Sequence, residues 1–208
     1  MIIKIFLWGA LVTLPVFFVQ IGLARLLDTI DINPLAKSLI YWFLIIAFSE
    51  EFFKYLVIRI KVINSPHLDE PLDIMLYMVV ASLGFAALEN VLYLFPPTGQ
   101  ISFNQIMDRT LIIDLIRFVG AIFLHTLCSA VIGYSLAISF CEVKTKYISL
   151  IAGILMATVL HGVYDFSIMT LDGYIKFAIP AVVILVLAVL VFSGFERLKK
   201  MKSTCKTN

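Results

Sequence analysis

Ser49-Glu50-Glu51-Phe52-Phe53-Lys54-Tyr55 stands inside an otherwise apolar segment that runs from about Leu35 to Ile60. Two adjacent carboxylates and a lysine lie here at membrane depth, where each charge costs about 2.5–3.5 kcal/mol on insertion scales. A segment that only had to cross a bilayer would carry none of them. Glu50 and Lys54 are four residues apart, so they share a helix face and can pair. Glu51 points about 100° away, and that pairing leaves it without a partner.

The rest of the chain supplies the membrane. Of 208 residues 62% are hydrophobic and only 14% charged, with a mean hydropathy of +1.03. Such a composition fits a polytopic membrane protein and excludes an ordinary soluble domain or a disordered chain. The net charge of +2 is too small to suggest nucleic-acid binding. Cys128, Cys141 and Cys205 form no CxxC pair and no even framework, so neither a disulfide nor a thiolate metal site is expected. Lys206-Thr207 is not an aliphatic pair, which argues against a prenylation box at Cys205.

Six apolar stretches are long enough to span, near 4–27, 35–60, 72–95, 111–140, 147–170 and 175–196. The first is too long for a signal-peptide core and no small-x-small site comes after it, so a retained helix is expected. The fourth, at about 30 residues, exceeds the bilayer and must tilt or protrude. The expected fold is all-α, a polytopic transmembrane bundle of about six spans forming one membrane domain over 1–208. Lys4, Arg59, Lys61, Lys144, Lys146, Arg197, Lys199, Lys200, Lys202 and Lys206 fall on one side of this scheme. Arg25, Lys37, Arg109, Arg117 and Lys176 fall on or near the other, which points to both termini in the cytoplasm. The basic tail from about 197 to 208 reads as an orientation signal and a contact for anionic headgroups.

Further ionisable residues interrupt the other spans. Glu89-Asn90 in the third comes just after Gly84, Ala86 and Ala87, small residues that let another helix approach a buried acid closely. His125 lies in the fourth. His161 and Asp165 in the fifth are four apart on one face, where the aspartate can orient the imidazole or both can serve as metal ligands. Asp114 and Arg117 read as an interfacial ion pair, and His67, Asp69, Glu70 and Asp73 as solvated loop. From the non-cytoplasmic ends of their spans, Glu50 and His125 lie about 15 residues in, His161 about 9 and Glu89 about 6, at about 1.5 Å per residue. Tilt can bring all four into a single polar cavity of carboxylates and histidines. Ser49 and Ser129 lack the glycine context of a nucleophile elbow.

Glu50-Glu51-x-x-Lys54, Phe85-Ala86-x-x-Glu89-Asn90, His125 followed by Gly133-Tyr134, and His161-x-x-x-Asp165 resemble, in order across four consecutive spans, the PrsW family of bacterial intramembrane proteases. That family is related to the CaaX-prenyl proteases and bacteriocin-processing enzymes. The resemblance implies a cell-membrane endopeptidase with a four-helix catalytic core over about 35–170. Its implied partner is a single-span anti-sigma factor, cut on its outer side to start regulated proteolysis and sigma-factor release. The prenyl proteases carry His where this chain has Glu89 and Asn where it has Asp165, which favours the PrsW pattern. By the same resemblance Glu50 and Glu89 activate water. Glu51 and Lys54 adjust the charge of Glu50; His161, oriented by Asp165, and His125 or Asn90 stabilise the oxyanion or protonate the leaving amine. No cofactor is committed, because HxxxD is not a zincin helix; a divalent metal such as zinc would take N/O ligands from His125, His161, Asp165 and Glu50. Read from the residues alone, the same acids and histidines also suit a proton-coupled transporter or ion carrier, and a CaaX-type or bacteriocin-processing protease is a further alternative.

Overall fold

The computed structural model describes residues 1–94, 113–141 and 146–201, with side chains over 1–93, 118–141 and 147–201. These form six helical rods with no strand among the described residues. Helix α1 (Ile2–Asp28) is 27 residues long and carries Pro15 in its interior. A second rod starts at Pro34, whose missing N–H costs nothing at the first helical position. Its N-cap is Asn33, whose side chain accepts the Leu35 N–H at 2.8 Å. The rod comprises α2 (Pro34–Leu39), a π-helical stretch (Ile40–Phe48) and α3 (Ser49–Lys61). Helices α4 (Pro71–Leu94), α5 (Ile113–Cys141), α6 (Lys146–Thr170) and α7 (Ile175–Lys200) complete the chain order.

Five of these helices are long and apolar enough to cross a membrane: α1, α4, α5, α6 and α7. The Pro34–Lys61 rod is the sixth element, and its expected span of 35–60 matches it closely. It falls outside that group because its turns are divided between π and α geometry and because its second half holds the charges. The π stretch ends where Ser49 Oγ donates to the carbonyls of Ile45 and Ile46, at 2.5 and 3.0 Å. π turns cluster at functional sites, where the extra residue per turn re-aims the side chains beyond them. The first side chain beyond Ser49 is Glu50.

Close backbone approach holds the bundle together. A Cβ on Gly9 would lie 2.0 Å from the Ala81 carbonyl oxygen, and one on Gly84 would lie 2.0 Å from that of Phe6, so α1 and α4 touch through glycines. Gly133 of α5 sits likewise against Met75 of α4. Lipid-facing helices associate through such small-residue contacts, since apolar burial alone gives little drive in a bilayer. The outward faces stay apolar, with Phe18, Leu23, Ile148, Leu185 and Phe192 exposed. At one end of the bundle Lys61 Nζ lies 3.9 Å over the Trp8 ring, and at the other Lys37 bonds Asp28 at 2.9 Å, as expected for antiparallel neighbours.

Three expectations change. Asp73 is not loose surface: it sits in the first turn of α4, where its carboxylate accepts the N–H groups of Asp69 and Glu70 and caps the helix. Arg197, Lys199 and Lys200 belong to the last turn of α7 rather than to a separate tail, a placement that favours the negative end of the helix dipole. Cys141 is disulfide-bonded, against the expectation of none, because three cysteines still allow one pair. Asp114 and Arg117 have side chains outside those described, as do Arg109 and Lys144.

Candidate active site

Four elements bring their ionisable side chains to one place. α3 supplies Glu50, Glu51 and Lys54, α4 supplies Glu89, α5 supplies His125, and α6 supplies His161 and Asp165. Every catalytic candidate named from the sequence is in this cluster. Lys54 Nζ bonds Glu51 Oε1 at 2.8 Å and His125 Nδ1 at 2.7 Å. His125 Nε2 meets Glu89 Oε2 at 2.7 Å. His161 Nδ1 meets Glu51 Oε1 at 2.9 Å, and its Nε2 lies 3.2 Å from Asp165 Oδ2. The result is a continuous run of contacts, Glu89–His125–Lys54–Glu51–His161–Asp165.

An ammonium only donates, so His125 Nδ1 accepts from Lys54 and the ring proton sits on Nε2, directed at Glu89. His161 is held from both nitrogens by carboxylates, which fixes its ring plane. The expected pairing of Lys54 with Glu50 is present but long, with Glu50 Oε2 3.8 Å away, and Glu51 takes the short contact at 2.8 Å. Residues three and four positions before a lysine lie on either side of its helical face, so Lys54 reaches either glutamate, and His161 draws it to Glu51.

Glu50 is thus the carboxylate that stays open. Its Oε1 accepts from Gln20 Nε2 at 3.1 Å, but its Oε2 is buried and makes no hydrogen bond among the described residues. Oε2 instead faces His125 Nδ1 at 3.7 Å and His161 Nε2 and Lys54 Nζ at 3.8 Å. A buried orphan oxygen aimed between two imidazoles is a costly arrangement unless something binds there.

The donor set N, N, O is that of a catalytic zinc site. Ligand atoms around a tetrahedral ion with bonds of about 2.0–2.2 Å lie about 3.3–3.6 Å apart. The observed 3.7 and 3.8 Å come close to that spacing. Glu50, His125 and His161 all place a ligand atom within 4.8 Å of the others, and the Glu51–His161 contact matches the carboxylate that supports a metal-bound imidazole. The residue types and their spacing fit a divalent ion on condition that Lys54 gives up His125 Nδ1 and Asp165 gives up His161 Nε2. A second grouping, Glu51, Cys128 and His161, is equally tight. It fits less well, because Glu51 is already engaged by Lys54 and His161 and the Cys128 thiol donates to the Ala157 carbonyl.

Two spaces adjoin the cluster. One of about 40 Å³ lies between the rod, α4, α5 and α6, bounded by Glu89, Asn90, His125, His161 and Asp165, and has room for water. The other, of about 220 Å³ and mostly apolar, opens toward α1 and reaches Glu50 and Glu89.

The PrsW family of intramembrane metalloproteases matches residues 1–193. The chain belongs to the PrsW family. Curated relatives described as Protease PrsW support this. The protein of Geobacillus kaustophilus is 32% identical over 173 residues, covering 83% of this chain and 69% of its own. That of Bacillus subtilis is 28% identical over 206 residues, covering 98% and 83%, and that of Oceanobacillus iheyensis 29% over 187, covering 89% and 78%. No solved structure matches the chain. As a PrsW-family member the chain is a multi-pass intramembrane protease with a protein substrate. The transporter and CaaX-type readings give way to that membership.

Gln20 was not anticipated from sequence, and Ser129, Phe85 and Asn90 take contacts that the sequence did not specify. Gln20 belongs to α1, outside the 35–170 region assigned to catalysis, yet it bonds Glu50 and Ser49, the latter at 3.3 Å. A lone amide in mid-span was the available signal. Ser129 donates to Glu51 Oε2 at 3.4 Å, which gives it a supporting contact in place of a nucleophile's. Phe85, which opens the motif that ends in Glu89-Asn90, lies under Lys54 at 4.5 Å and edge-on to His125 at 5.5 Å. Asn90 borders the small cavity but its Nδ2 is buried without a hydrogen bond among the described residues.

Proposed function

We propose that this PrsW-family protease makes the first cut in a single-span, anti-sigma-factor-like membrane protein, with Glu50, Glu51, Glu89, His125, His161 and Asp165 as its active site. The observation that carries the assignment is the orphaned Glu50 Oε2 between His125 and His161. Both termini are assigned to the cytoplasm, on the basic residues at the ends of α1, α3 and α7. The cell membrane is the site of action.

Hydrolysis requires a base for water, a cradle for the oxyanion and a proton for the amine. Glu50 Oε2 takes the proton of a water seated between it and the two imidazoles, and the hydroxide attacks the scissile carbonyl carbon. Lys54, held by Glu51 and His125, supplies positive charge beside the developing oxyanion. As the tetrahedral carbon collapses and the C–N bond breaks, the leaving nitrogen takes a proton from the His161–Asp165 side of the site. Glu50, His125 and His161 are the residues that would hold a divalent ion, which when bound polarises the carbonyl and acidifies water. Were Glu50 to serve as a ligand, Glu89 would be the acceptor, because it borders both cavities and its side chain keeps 17% exposure.

The test is cleavage of a single-span substrate by purified protein in vesicles. Glu50→Gln and His161→Ala should each abolish the fragment while the protein still inserts and folds. Cleavage by Glu50→Gln at the wild-type rate sinks the assignment. Elemental analysis and chelator sensitivity of the same preparation decide the ion.

A further inference from the structure

The larger cavity lies where α1 parts from α4. The two helices touch at Gly9 and Gly84, with approaches that leave no room for a Cβ. Around Pro15, which breaks the hydrogen-bond ladder of α1, the two helices and the Pro34–Lys61 rod border a space of about 220 Å³. One stripe of α1 faces it: Thr13, Val16, Phe17, Gln20 and Ala24, spaced at three and four residues. Glu50 and Glu89 also border it. It is the apolar space continuous with the carboxylates, and its volume suits one large side chain rather than a folded helix.

We propose that this cleft is the subsite that receives an apolar side chain of the substrate beside the scissile bond, and that α1 is therefore the specificity-determining helix. The proposal rests on the protease assignment above and deepens it. An apolar chain that reaches Glu50 through this cleft must bring its backbone past Gln20. The Gln20 Nε2 bonds to Glu50 Oε1 and Ser49 Oγ leave its amide oxygen for a substrate N–H. Ala24 lies at the edge of the cleft and is half-buried, so a larger residue there fills the space without entering the buried cluster.

The experiment uses full-length protein in phosphatidylethanolamine/phosphatidylglycerol vesicles and a single-span reporter whose cleaved bond has been mapped. Ala24→Trp should lower the preference for a leucine or phenylalanine over an alanine beside that bond by about 10-fold or more, the scale on which apolar pockets discriminate. Leu23→Trp, on the exposed face of the same helix, should leave the preference as in wild type. A photo-crosslinker placed at Ala24 in the Glu50→Gln protein should capture the reporter at residues flanking the bond. Capture of lipid acyl chains alone, or an unchanged preference in Ala24→Trp, overturns the subsite. Failure of wild-type protein to cut the reporter counts against the protease assignment, whereas the crosslink still reads the cleft directly.

Discussion

Glu50 and Glu51 are neighbours in sequence and both are buried, at 3% and 0% exposure, yet they face different worlds. Glu51 looks into the α5–α6 side of the bundle, where Lys54, His161 and Ser129 occupy its oxygens. Glu50 borders the cleft toward α1, with Gln20 hydrogen-bonded to one oxygen and only the longer contacts to Lys54, His125 and His161 on the other. The closed side is a satisfied polar core, whose removal leaves charges stranded. The open side carries an unmet demand for a proton, an ion or a substrate atom. Two identical side chains one residue apart are thereby given a closed and an open environment.

The strongest way to break that contrast is to replace each glutamate by its isostere. Glu50→Gln should reduce cleavage by more than ~10³-fold, within the range of losing a general base, with thermal unfolding unchanged from wild type. Glu51→Gln should instead cost about 3–5 kcal/mol of stability, because it strands the Lys54 ammonium in the interior. Read by denaturant unfolding in detergent, equal destabilisation by the two substitutions would erase the distinction.

The pair Glu51→Gln, Lys54→Met sharpens it further. Removing both members of a buried ion pair is far less disruptive than removing one, so the double substitution should cost less than the sum of the singles, by about 1–3 kcal/mol. Additive costs would mean that Lys54 is stabilised chiefly by His125 and Phe85. On the open side Gln20→Leu should leave unfolding near wild type and lower kcat about 10-fold, the value of a hydrogen bond that orients a charged group. A change confined to KM would assign Gln20 to substrate binding and not to Glu50.

Much of this division could be read from the sequence, and the missing part has a physical cause. Charges at membrane depth, their order and their common level singled out as candidates Glu50, Glu89, His125, His161 and Asp165, which the fold brings together, since a bilayer penalises every ionisable group that lacks a purpose. The helix boundaries were equally legible, because an apolar run in lipid has no alternative to the helix. Partner choice was not. Helical spacing allows Lys54 both glutamates, and only the position of His161 on another helix decides between them. Gln20 was silent for a related reason: α1 carries no motif, and the contact of Gln20 with Glu50 depends on where the close approaches at Gly9 and Gly84 hold α1 against α4. Residue type pointed to the chemistry, while tertiary crossing decided the partners.

Ser129 offers the smallest effect and a fine test of which oxygen of Glu51 anchors the closed side. Lys54 and His161 both use Oε1, and Ser129 Oγ reaches Oε2 at 3.4 Å, near the limit of a hydrogen bond. A long bond from a neutral donor contributes little, so Ser129→Ala should cost about 1 kcal/mol or less in unfolding free energy and leave cleavage within ~2-fold. Ser129 is fully buried, so the lost hydroxyl is not replaced by bulk water. If Ser129→Ala destabilises as much as Glu51→Gln, then Oε2 anchors the carboxylate and the Lys54–His161 clamp on Oε1 is secondary. If it is nearly silent, the closed side is held by charge through one oxygen.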